Sequence, residues 1–290
     1  MAKVTATTAE KFIDDVWSDE LNRAIEFDTI ISALFSDWTN RMRSHGDIFH
    51  LPARHNLTAV TKTAGSDATA EAITETEQTF TVSTHQIVAQ AIEDFAEVMS
   101  RYDIRNEFTM AASYALARAM DVACATLMDD NTSQTVGTVT AELTDDDLIR
   151  AWQYLRDSAA KAPYVGVVSP AAWAGLLKIE KFTSMLYNGD DTGKAVHEAQ
   201  IGKVYQAMFH VSQLTVGTAP TSYGHMWAND HFFKIVKKAP KQDTWFSPLG
   251  KAWVVATDQI YGVFERQEAD EAAAATSVAR LWGVRLATLK

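Results

Sequence analysis

The stretch LTAVTKTAGSDATAEAITETEQTFTVS, residues 57–83, decides how the rest of this sequence is interpreted. It is rich in threonine, which favours strands, but it has few large apolar side chains before Phe80 and Val82. Two strands without an apolar face are only marginally stable on their own in water. The stretch is therefore either disordered or a hairpin arm, with its tip at residues 65–67, that becomes ordered against another molecule.

A helical pattern follows this stretch directly and favours the arm. Apolar residues recur every three or four positions from residue 86 to residue 130, with a phase slip near residues 103–106. An unbroken helix of this length would be on the order of 65 Å long, more than the diameter of a compact domain of this size. The pattern predicts a long helix that either breaks at the slip or belongs to an elongated molecule.

The N-terminal segment is amphipathic. Between residues 9 and 42 apolar side chains recur at helical spacing, and the pattern is broken near residues 26–28. Two interpretations stay open for this segment. It is either a helix that packs on the chain's own core, which the segment alone favours, or an arm that lies on a neighbouring molecule.

The second half of the chain has the signals of a mixed α/β region. Thr144 with Asp147 three positions later predicts a capping box, and Ser169-Pro170 predicts a second helix start. The run YVGVV at residues 164–168, directly before Ser169, predicts a buried strand. Strands are also predicted at residues 231–236, 253–257, 259–266 and 278–287.

Composition limits the function classes. The chain has 290 residues, 47% hydrophobic and 22% charged, which suits one large globular domain or two smaller ones. Its net charge of -11 argues against a protein whose main role is to grip phosphate backbones, although it allows a protein that encloses nucleic acid. Cys124 is the only cysteine, so the chain has no intrachain disulfide.

The sequence shows no targeting segment or membrane span. The first residues, MAKVTATTAEKF, lack the apolar core of a signal peptide, and no stretch reaches the roughly 18 apolar residues of a membrane helix. We therefore expect a soluble protein that is made in a reducing cytoplasm and has no membrane partner.

No catalytic, cofactor or metal site is predicted. His45, His50 and His55 are spaced five residues apart, which scatters them around a helix or over both faces of a strand. The three carboxylates at residues 145–147 are explained by the start of a helix, and the loop at residues 188–193 lacks the spacing of a calcium-binding loop. We expect a protein that is not an enzyme.

The order of these parts resembles the major capsid proteins of tailed bacteriophages, which have the α+β Hong Kong 97-type fold. The resemblance covers nearly the whole chain. Its most specific motif is LTDDDLIRAWQYL…APYVGVVSPAAWAGLLKIEKFTSMLYNGDD…IGKVYQAMFHVS, a capped helix, a strand that ends in Ser-Pro, a second helix and an Ile-Gly-Lys strand start.

The resemblance implies a division of the chain into five parts. These are an N-terminal arm at residues 1–45, an extended hairpin loop at 46–85, a peripheral domain with a long spine helix at 86–140, an axial domain at 141–253, and C-terminal strands at 254–290 that return to the peripheral domain.

The resemblance also implies a function without catalysis or cofactors. Many copies, as hexamers and pentamers, would form an icosahedral phage head that encloses double-stranded DNA without sequence-specific binding. The acidic balance of the chain fits such a wall. The protein would be part of the virion and would assemble in the host cytoplasm with a separate scaffolding protein and a portal.

The arm and the hairpin supply the expected contacts between subunits. The candidates are Trp17, Phe35 and Trp38 in the arm, and Lys62, Gly65, Asp67, Glu75 and Glu77 in the hairpin.

Some relatives join a lysine of the hairpin covalently to an asparagine of a neighbouring subunit. Lys62 is the only lysine in the hairpin region and Asn188 lies on a distant loop, but no matching motif surrounds Lys62. The crosslink is therefore not predicted for this chain.

Two alternatives remain. The same fold forms encapsulin-type compartments that hold a cargo enzyme, and a genome neighbourhood without terminase and portal genes would favour that function. A soluble α/β enzyme with an unrecognised site is an alternative of another class, and a compact monomer with a deep polar pocket would favour it.

Overall fold

The computed structural model of the chain has a mixed fold of helices and sheets. It describes residues 26, 28–42, 46–52, 59–67, 77–100, 103–130, 134–183, 203–215, 221–266 and 282–289. In these ranges no helix is long and apolar enough to cross a membrane. In chain order the elements are α1 (Ile31–Leu34), β1 (Ser36–Asp37), a 3₁₀ helix (Thr39–Arg41), β2 (Ile48–Pro52), β3 (Glu77–Thr81), β4 (Thr84–Glu93), α2 (Asp94–Met99), α3 (Ile104–Asp130), β5 (Thr135–Gly137), α4 (Asp145–Asp157), β6 (Tyr164–Val168), α5 (Pro170–Leu177), α6 (Glu180–Thr183), β7 (Ala207–Val211), β8 (Thr221–Ala228), β9 (Phe232–Ser247), β10 (Ala252–Glu265) and β11 (Gly283–Leu289).

The strands form two sheets and one separate hairpin. The first sheet, called the long sheet, has the strand order β1–β9–β10–β4. β9 and β10 form a long antiparallel ribbon, and β4 pairs antiparallel with β10 from Thr84 opposite Tyr261 to Glu93 opposite Ala252. The second sheet, called the five-stranded sheet, has the order β5–β11–β8–β6–β7, and β2 pairs with β3 in the hairpin.

Helix α3 packs against the long sheet. It has 27 residues and is about 40 Å long at 1.5 Å per residue. From β10, the side-chain amide of Gln259 donates a hydrogen bond to the carbonyl of Leu116 at 3.0 Å, and the hydroxyl of Tyr261 lies 3.5 Å from the carbonyl of Ala119. These contacts hold the helix along the central strand of the sheet.

The prediction of a helix over residues 86–130 is wrong at its start and right in its main part. Residues 86–93 belong to β4. Of the two alternatives for the rest, the structure supports the break, because α2 ends at Met99 and α3 starts at Ile104. Val88 and Ile92 are four positions apart, a spacing that fits one face of a strand as well as one face of a helix. Pairing with β10 decides between the two.

The two predicted helix starts are confirmed. At α4, Thr144 and Asp147 form a complete capping box, in which each side chain accepts a hydrogen bond from the backbone N–H of the other residue. At α5, the hydroxyl of Ser169 accepts a hydrogen bond from the backbone N–H of Ala172 at 3.2 Å, and Pro170 is the first helical residue. These two helices follow the short strands β5 and β6 of the five-stranded sheet.

The core of the second half lies between these helices and the five-stranded sheet. α4 and α5 contribute leucines, and the strands contribute β-branched, aromatic and sulphur-containing side chains. Its members with at most 1% exposure include Leu148, Leu155, Tyr164, Leu176, Met226 and Leu286.

The C-terminal strands are arranged differently from the expectation. The predicted strands 253–257 and 259–266 are one strand, β10, whose register with β9 shifts on both sides of Ile260. β11 pairs with β8 and β5, so it belongs to the five-stranded sheet and does not return to the sheet that carries α3. The alternation of side chains shows that a segment is a strand, but it does not identify the neighbouring strand.

The N-terminal segment is less helical than predicted where it is described. Only Ile31–Leu34 and the 3₁₀ turn Thr39–Arg41 are helical, and β1 between them pairs in parallel with β9. The earlier part of the predicted helix, residues 9–25, lies outside the described residues. Main-chain pairing with β9 and burial against the long sheet outweigh the helical spacing of the apolar residues in this segment.

Candidate assembly surfaces

The described base of the hairpin arm is a pair of antiparallel strands. β2 and β3 pair antiparallel from Ile48 opposite Thr81 to Pro52 opposite Glu77. Residues 59–67 are the described distal part, and all of them are exposed. The turn predicted near residue 65 is confirmed: the N–H of Ser66 donates to the carbonyl of Thr63 at 3.2 Å, and Gly65 has a φ of 85°, which favours glycine.

Five aromatic side chains, called the aromatic anchor, fix the base of the hairpin to the long sheet. They are Trp38, Phe49, Phe80, Phe233 and Phe264. The rings of Trp38 and Phe233 stack with centroids 4.0 Å apart, and Phe80 lies 5.0 Å from Phe233 and 5.3 Å from Phe264. Because Phe49 and Phe80 face each other across the hairpin, one contact surface holds both strands of its base.

Phe35 and Trp38 do not lie where the proposed contacts between subunits would need them. Their side chains are only 4% and 3% exposed, because Phe35 stacks on Phe232 and Trp38 stacks on Phe233 within the same chain. The expectation that these two residues pack on a neighbouring subunit is therefore corrected. The structure supports the other interpretation of this segment, in which residues 31–42 pack on the chain's own core.

A buried carboxylate holds the start of α1 against α3. Asp121 on α3 is fully buried, and its two oxygens accept hydrogen bonds from the backbone N–H groups of Ile31 at 3.0 Å and Ser32 at 2.8 Å. The ammonium of Lys234 donates to the carbonyl of Ser32 at 2.7 Å. These bonds fix the start of α1 against α3 and β9. The sequence analysis missed Asp121 because it occupies an ordinary helical position.

The hairpin candidates are on the surface. Lys62, Gly65 and Asp67 are exposed in the distal part, and exposed Glu77 lies 3.1 Å from the ring of His50 on the paired strand. Trp17 and Glu75 lie outside the described residues, as does Asn188.

A group of exposed apolar side chains lies at one end of the long sheet and was not predicted. The backbone N–H of Asp94 donates to the carbonyl of Lys251 at 2.9 Å, so α2 begins beside the turn between β9 and β10. Large side chains around this junction are exposed although they are apolar. They are Val98 and Met99 on α2, Trp245 on β9 and Leu249 in the turn.

The acidic cluster at residues 145–147 has a structural explanation. Asp147 is part of the capping box, and Asp145 accepts hydrogen bonds from the ammonium of Lys181 at 2.6 Å and the hydroxyl of Tyr205 at 2.5 Å. Burial, together with the bond to Asp145, raises the pKa of Tyr205 to about 12. Across the described ranges, no group of three or more metal-ligating side chains is close enough to hold a metal ion.

Cys124 and His225 are among the buried titratable side chains. Cys124 on α3 is fully buried, and burial raises the pKa of its thiol. Burial also lowers the pKa of His225 on β8 to about 3, and the nearby guanidinium of Arg285 acts in the same direction. These side chains are therefore uncharged near neutral pH and belong to the core.

A comparison with models of protein families shows which family has this arrangement of elements. The family model described as "Phage capsid protein" matches residues 32–204, which include the hairpin, α3 and the capped helices α4 and α5. The chain belongs to the phage capsid protein family. It is a structural subunit of a capsid and thus of the virion, and neither an encapsulin compartment nor an enzyme is favoured. No curated protein sequence matches the capsid protein.

Solved capsid structures share the fold of the capsid protein. A chain of Mycobacterium phage Che8 is 18% identical with a TM-score of 0.77, and the match covers 95% of this chain and 97% of that chain. The acid-stable capsid of Helicobacter pylori bacteriophage KHP30 is 10% identical with a TM-score of 0.75, and the match covers 100% of this chain and 98% of that chain. The capsid of cyanophage P-SCSP1u is 15% identical with a TM-score of 0.73, and the match covers 97% of this chain and 94% of that chain. The predicted α+β capsid fold is confirmed.

Proposed function

We propose that this capsid protein is the self-assembling subunit of an icosahedral phage head, in which hexamers and pentamers enclose double-stranded DNA. The hairpin carries this proposal. Its apolar residues are concentrated at a base that is anchored on the chain's own core, and its described distal residues 59–67 are exposed throughout. The described distal residues of the arm contribute no buried side chains to the core of their own subunit. Its distal part gains hydrogen-bond partners and packing only when a neighbouring subunit provides them.

The two sheets support a division of the subunit into two domains. We assign the long sheet with α3 to the peripheral domain and the five-stranded sheet with α4 and α5 to the axial domain. With this assignment β9 is peripheral and β11 is axial, which moves the expected boundaries at residues 253 and 254. The side chain of Arg285 on β11 donates to the carbonyl and the carboxylate of Asp129 on α3, which links the two parts.

The proposed contacts with neighbouring subunits lie on the hairpin and near the N-terminus. Lys62, Gly65, Asp67 and Glu77 are available at the surface of the arm. Trp17 and Glu75 stay candidates from the sequence. The hairpin residues are mostly polar, and this fits contacts that form repeatedly and reversibly during assembly.

The charge of the chain supports the enclosure of DNA. A net charge of -11 repels phosphate groups, so an inner wall of this composition confines DNA without sequence-specific binding. We infer a separate scaffolding protein and a portal, with assembly in the host cytoplasm, by analogy with tailed-phage heads.

Electron microscopy of the purified protein, with and without its scaffolding protein, tests the proposed function. Closed shells are expected. If wild-type protein forms only small monodisperse species under all assembly conditions, the proposal is wrong. A denaturing gel of the particles also shows whether Lys62 is crosslinked to another subunit. A single band near 32.0 kDa means that no covalent crosslink forms.

Deletion of residues 65–67 tests the role of the hairpin. These residues are exposed and outside the core, so the deletion should leave the denaturation midpoint of the isolated subunit unchanged but strongly reduce shell formation. The matched control is Ser66→Ala, which keeps the length of the arm and loses only the side-chain hydrogen bond to the Thr63 carbonyl. Normal shells from the deletion variant would show that the tip has no role in assembly.

A further inference from the structure

The chain passes between the two sheets directly after β8 and again after β10. β8 belongs to the five-stranded sheet and β9 to the long sheet, and only Asn229, Asp230 and His231 lie between them. The second passage leads from β10 of the long sheet to β11 of the five-stranded sheet, and its described residues are Arg266 and Trp282. Both passages therefore connect the same pair of sheets.

Backbone hydrogen bonds join the two passages. The N–H of Arg266 donates to the carbonyl of His231 at 2.8 Å, and the N–H of Ala228 donates to the carbonyl of Trp282 at 2.8 Å. The guanidinium of Arg266 also lies 5.0 Å from the centre of the Trp282 ring, within the range of a cation–π contact. Residues 228–231 with 266 and 282 are called the hinge. Contacts within the hinge help to hold the two sheets relative to each other.

A histidine and a carboxylate face each other at the hinge. The side chain of His231 is fully buried, and its Nε2 lies 3.2 Å from Oε1 of Glu265, the last residue of β10. Oε1 is itself buried, and among the described residues no donor is aligned with it as in an ordinary hydrogen bond. A buried carboxylate oxygen is costly unless a positive charge or a proton compensates it. Glu265 therefore depends on the nearby ring of His231.

The contacts of the His231 ring fix the number of protons at this position. Nδ1 lies 3.1 Å from the carbonyl oxygen of Arg266, which can only accept, so Nδ1 carries a hydrogen. A lone pair on Nε2 would be repelled by an ionised carboxylate oxygen 3.2 Å away, and this distance leaves no space for a water molecule. One proton is therefore held between Nε2 and Oε1, whether it resides on the ring or on the carboxyl group.

The other charged side chains around the ring are engaged elsewhere. The carboxylate of Asp230, in the same turn, accepts a hydrogen bond from the hydroxyl of Ser36 on β1 at 2.8 Å. On β9 the ammonium of Lys234 donates to a backbone carbonyl of α1 at 2.7 Å. The guanidinium of Arg266 lies over an indole ring. Glu265 is therefore the charged group that faces the ring.

We propose that His231 and Glu265 form a pH-sensitive latch in the hinge between the two sheets. With the shared proton in place, the latch ties the end of β10 to the turn before β9. As the pH rises, the proton is lost to solvent and the lone pair of Nε2 faces an ionised oxygen. This repulsion in a buried position opens the hinge, and the two sheets are held less firmly relative to each other. The latch acts within a single subunit and is independent of shell assembly.

Amide hydrogen exchange of the isolated subunit tests the latch. The amides of Ala228 and Arg266 bond across the hinge, so their protection relative to the intrinsic exchange rate at each pH reports its opening. One proton changes an equilibrium by up to about tenfold per pH unit, so this protection should fall at least about tenfold between about pH 6 and pH 9. The amides of Asp94, at the opposite end of the long sheet, and Ser212, beside the five-stranded sheet, should keep their protection.

Glu265→Gln separates a proton-controlled latch from ordinary packing. The side-chain amide has nearly the same shape, and its NH₂ group donates to Nε2 without a titrating proton. The hinge amides should therefore stay protected over the whole pH range, and the pH dependence seen in the wild type should vanish. The matched control is Glu93→Gln, the same substitution at an exposed position on β4, which should keep the wild-type pH dependence. Because burial lowers the pKa of His225 to about 3, that histidine stays neutral throughout this range.

The outcomes decide the proposal without reference to assembly. Wild-type protection of Ala228 and Arg266 that does not change with pH overturns it. A Glu265→Gln variant that keeps the wild-type pH dependence, or that leaves the hinge amides unprotected at every pH, also overturns it. If Glu265→Gln does not fold, the wild type decides alone. A fall confined to the hinge amides then supports the latch, whereas an equal fall at Asp94 and Ser212 shows a general loosening and overturns it.

Discussion

Replacement of Asp121 by alanine should release the start of α1 from α3. The buried carboxylate accepts the N–H groups of Ile31 at 3.0 Å and Ser32 at 2.8 Å, and in Asp121→Ala both groups lose these acceptors. A hydrogen bond to a charged group contributes about 1.5–3 kcal/mol, so two such bonds together contribute about 3–6 kcal/mol. Because α1 has only four residues, opening of this segment should come before unfolding of the subunit.

Amide hydrogen exchange of the isolated subunit measures this opening directly. In Asp121→Ala the amides of Ile31 and Ser32 should lose protection, and the urea midpoint should fall. Asp121→Asn keeps one carbonyl acceptor and should have an intermediate effect. The neighbouring Val122 is 44% exposed, so Val122→Ala is the control and should change neither quantity. If Asp121→Ala stays within about 1 kcal/mol of wild type and keeps both amides protected, the anchor does not act as described.

Two further predictions concern the aromatic anchor and the buried His225. Phe80→Ala removes a ring from the aromatic anchor and should lower the free energy of unfolding by about 3 kcal/mol, measured by urea denaturation, whereas Val60→Ala on the exposed arm should have no effect. Burial lowers the pKa of His225 to about 3, so the folded state holds it neutral while the unfolded chain binds a proton below about pH 6.5. Its contribution is therefore intact above pH 6.5 and decreases as the pH falls towards 3, by about 2 kcal/mol at pH 5. A His225→Leu variant should lose this part of the pH dependence, and an unchanged slope between pH 7 and 5 would contradict the assignment.

Local signals in the sequence predicted local structure correctly. The capping box of Thr144 with Asp147 and the Ser169-Pro170 start depend on residues within one helical turn, so the sequence contains all the information they need. The turn at Gly65 is of the same kind. The α+β capsid fold was predicted from the resemblance of the order of these parts to tailed-phage capsid proteins.

Non-local pairing is what the sequence did not reveal. Residues 86–93 fit a helix until β10 pairs with them, and the alternation in β11 gives no sign that its partners are β8 and β5. The burial of Phe35 and Trp38 depends on Phe232 and Phe233, almost 200 positions later in the chain. Aromatic side chains in an N-terminal segment are equally suited to the chain's own core and to a neighbour. Only the long-range contacts distinguish the two.

The position of the apolar residues along the hairpin explains how one segment could serve both the folding of the subunit and the proposed assembly. Phe49 and Phe80 lie at the base, where the aromatic anchor fixes the direction of the arm before any partner is present. Residues 59–63 are polar except for Ala59 and Val60, so the free chain gains little by burying them and their backbone stays available. An arm that was apolar along its whole length would collapse on its own subunit or aggregate. With the two roles separated along the arm, the base folds on its own subunit while the exposed distal residues stay accessible, as the proposed function requires.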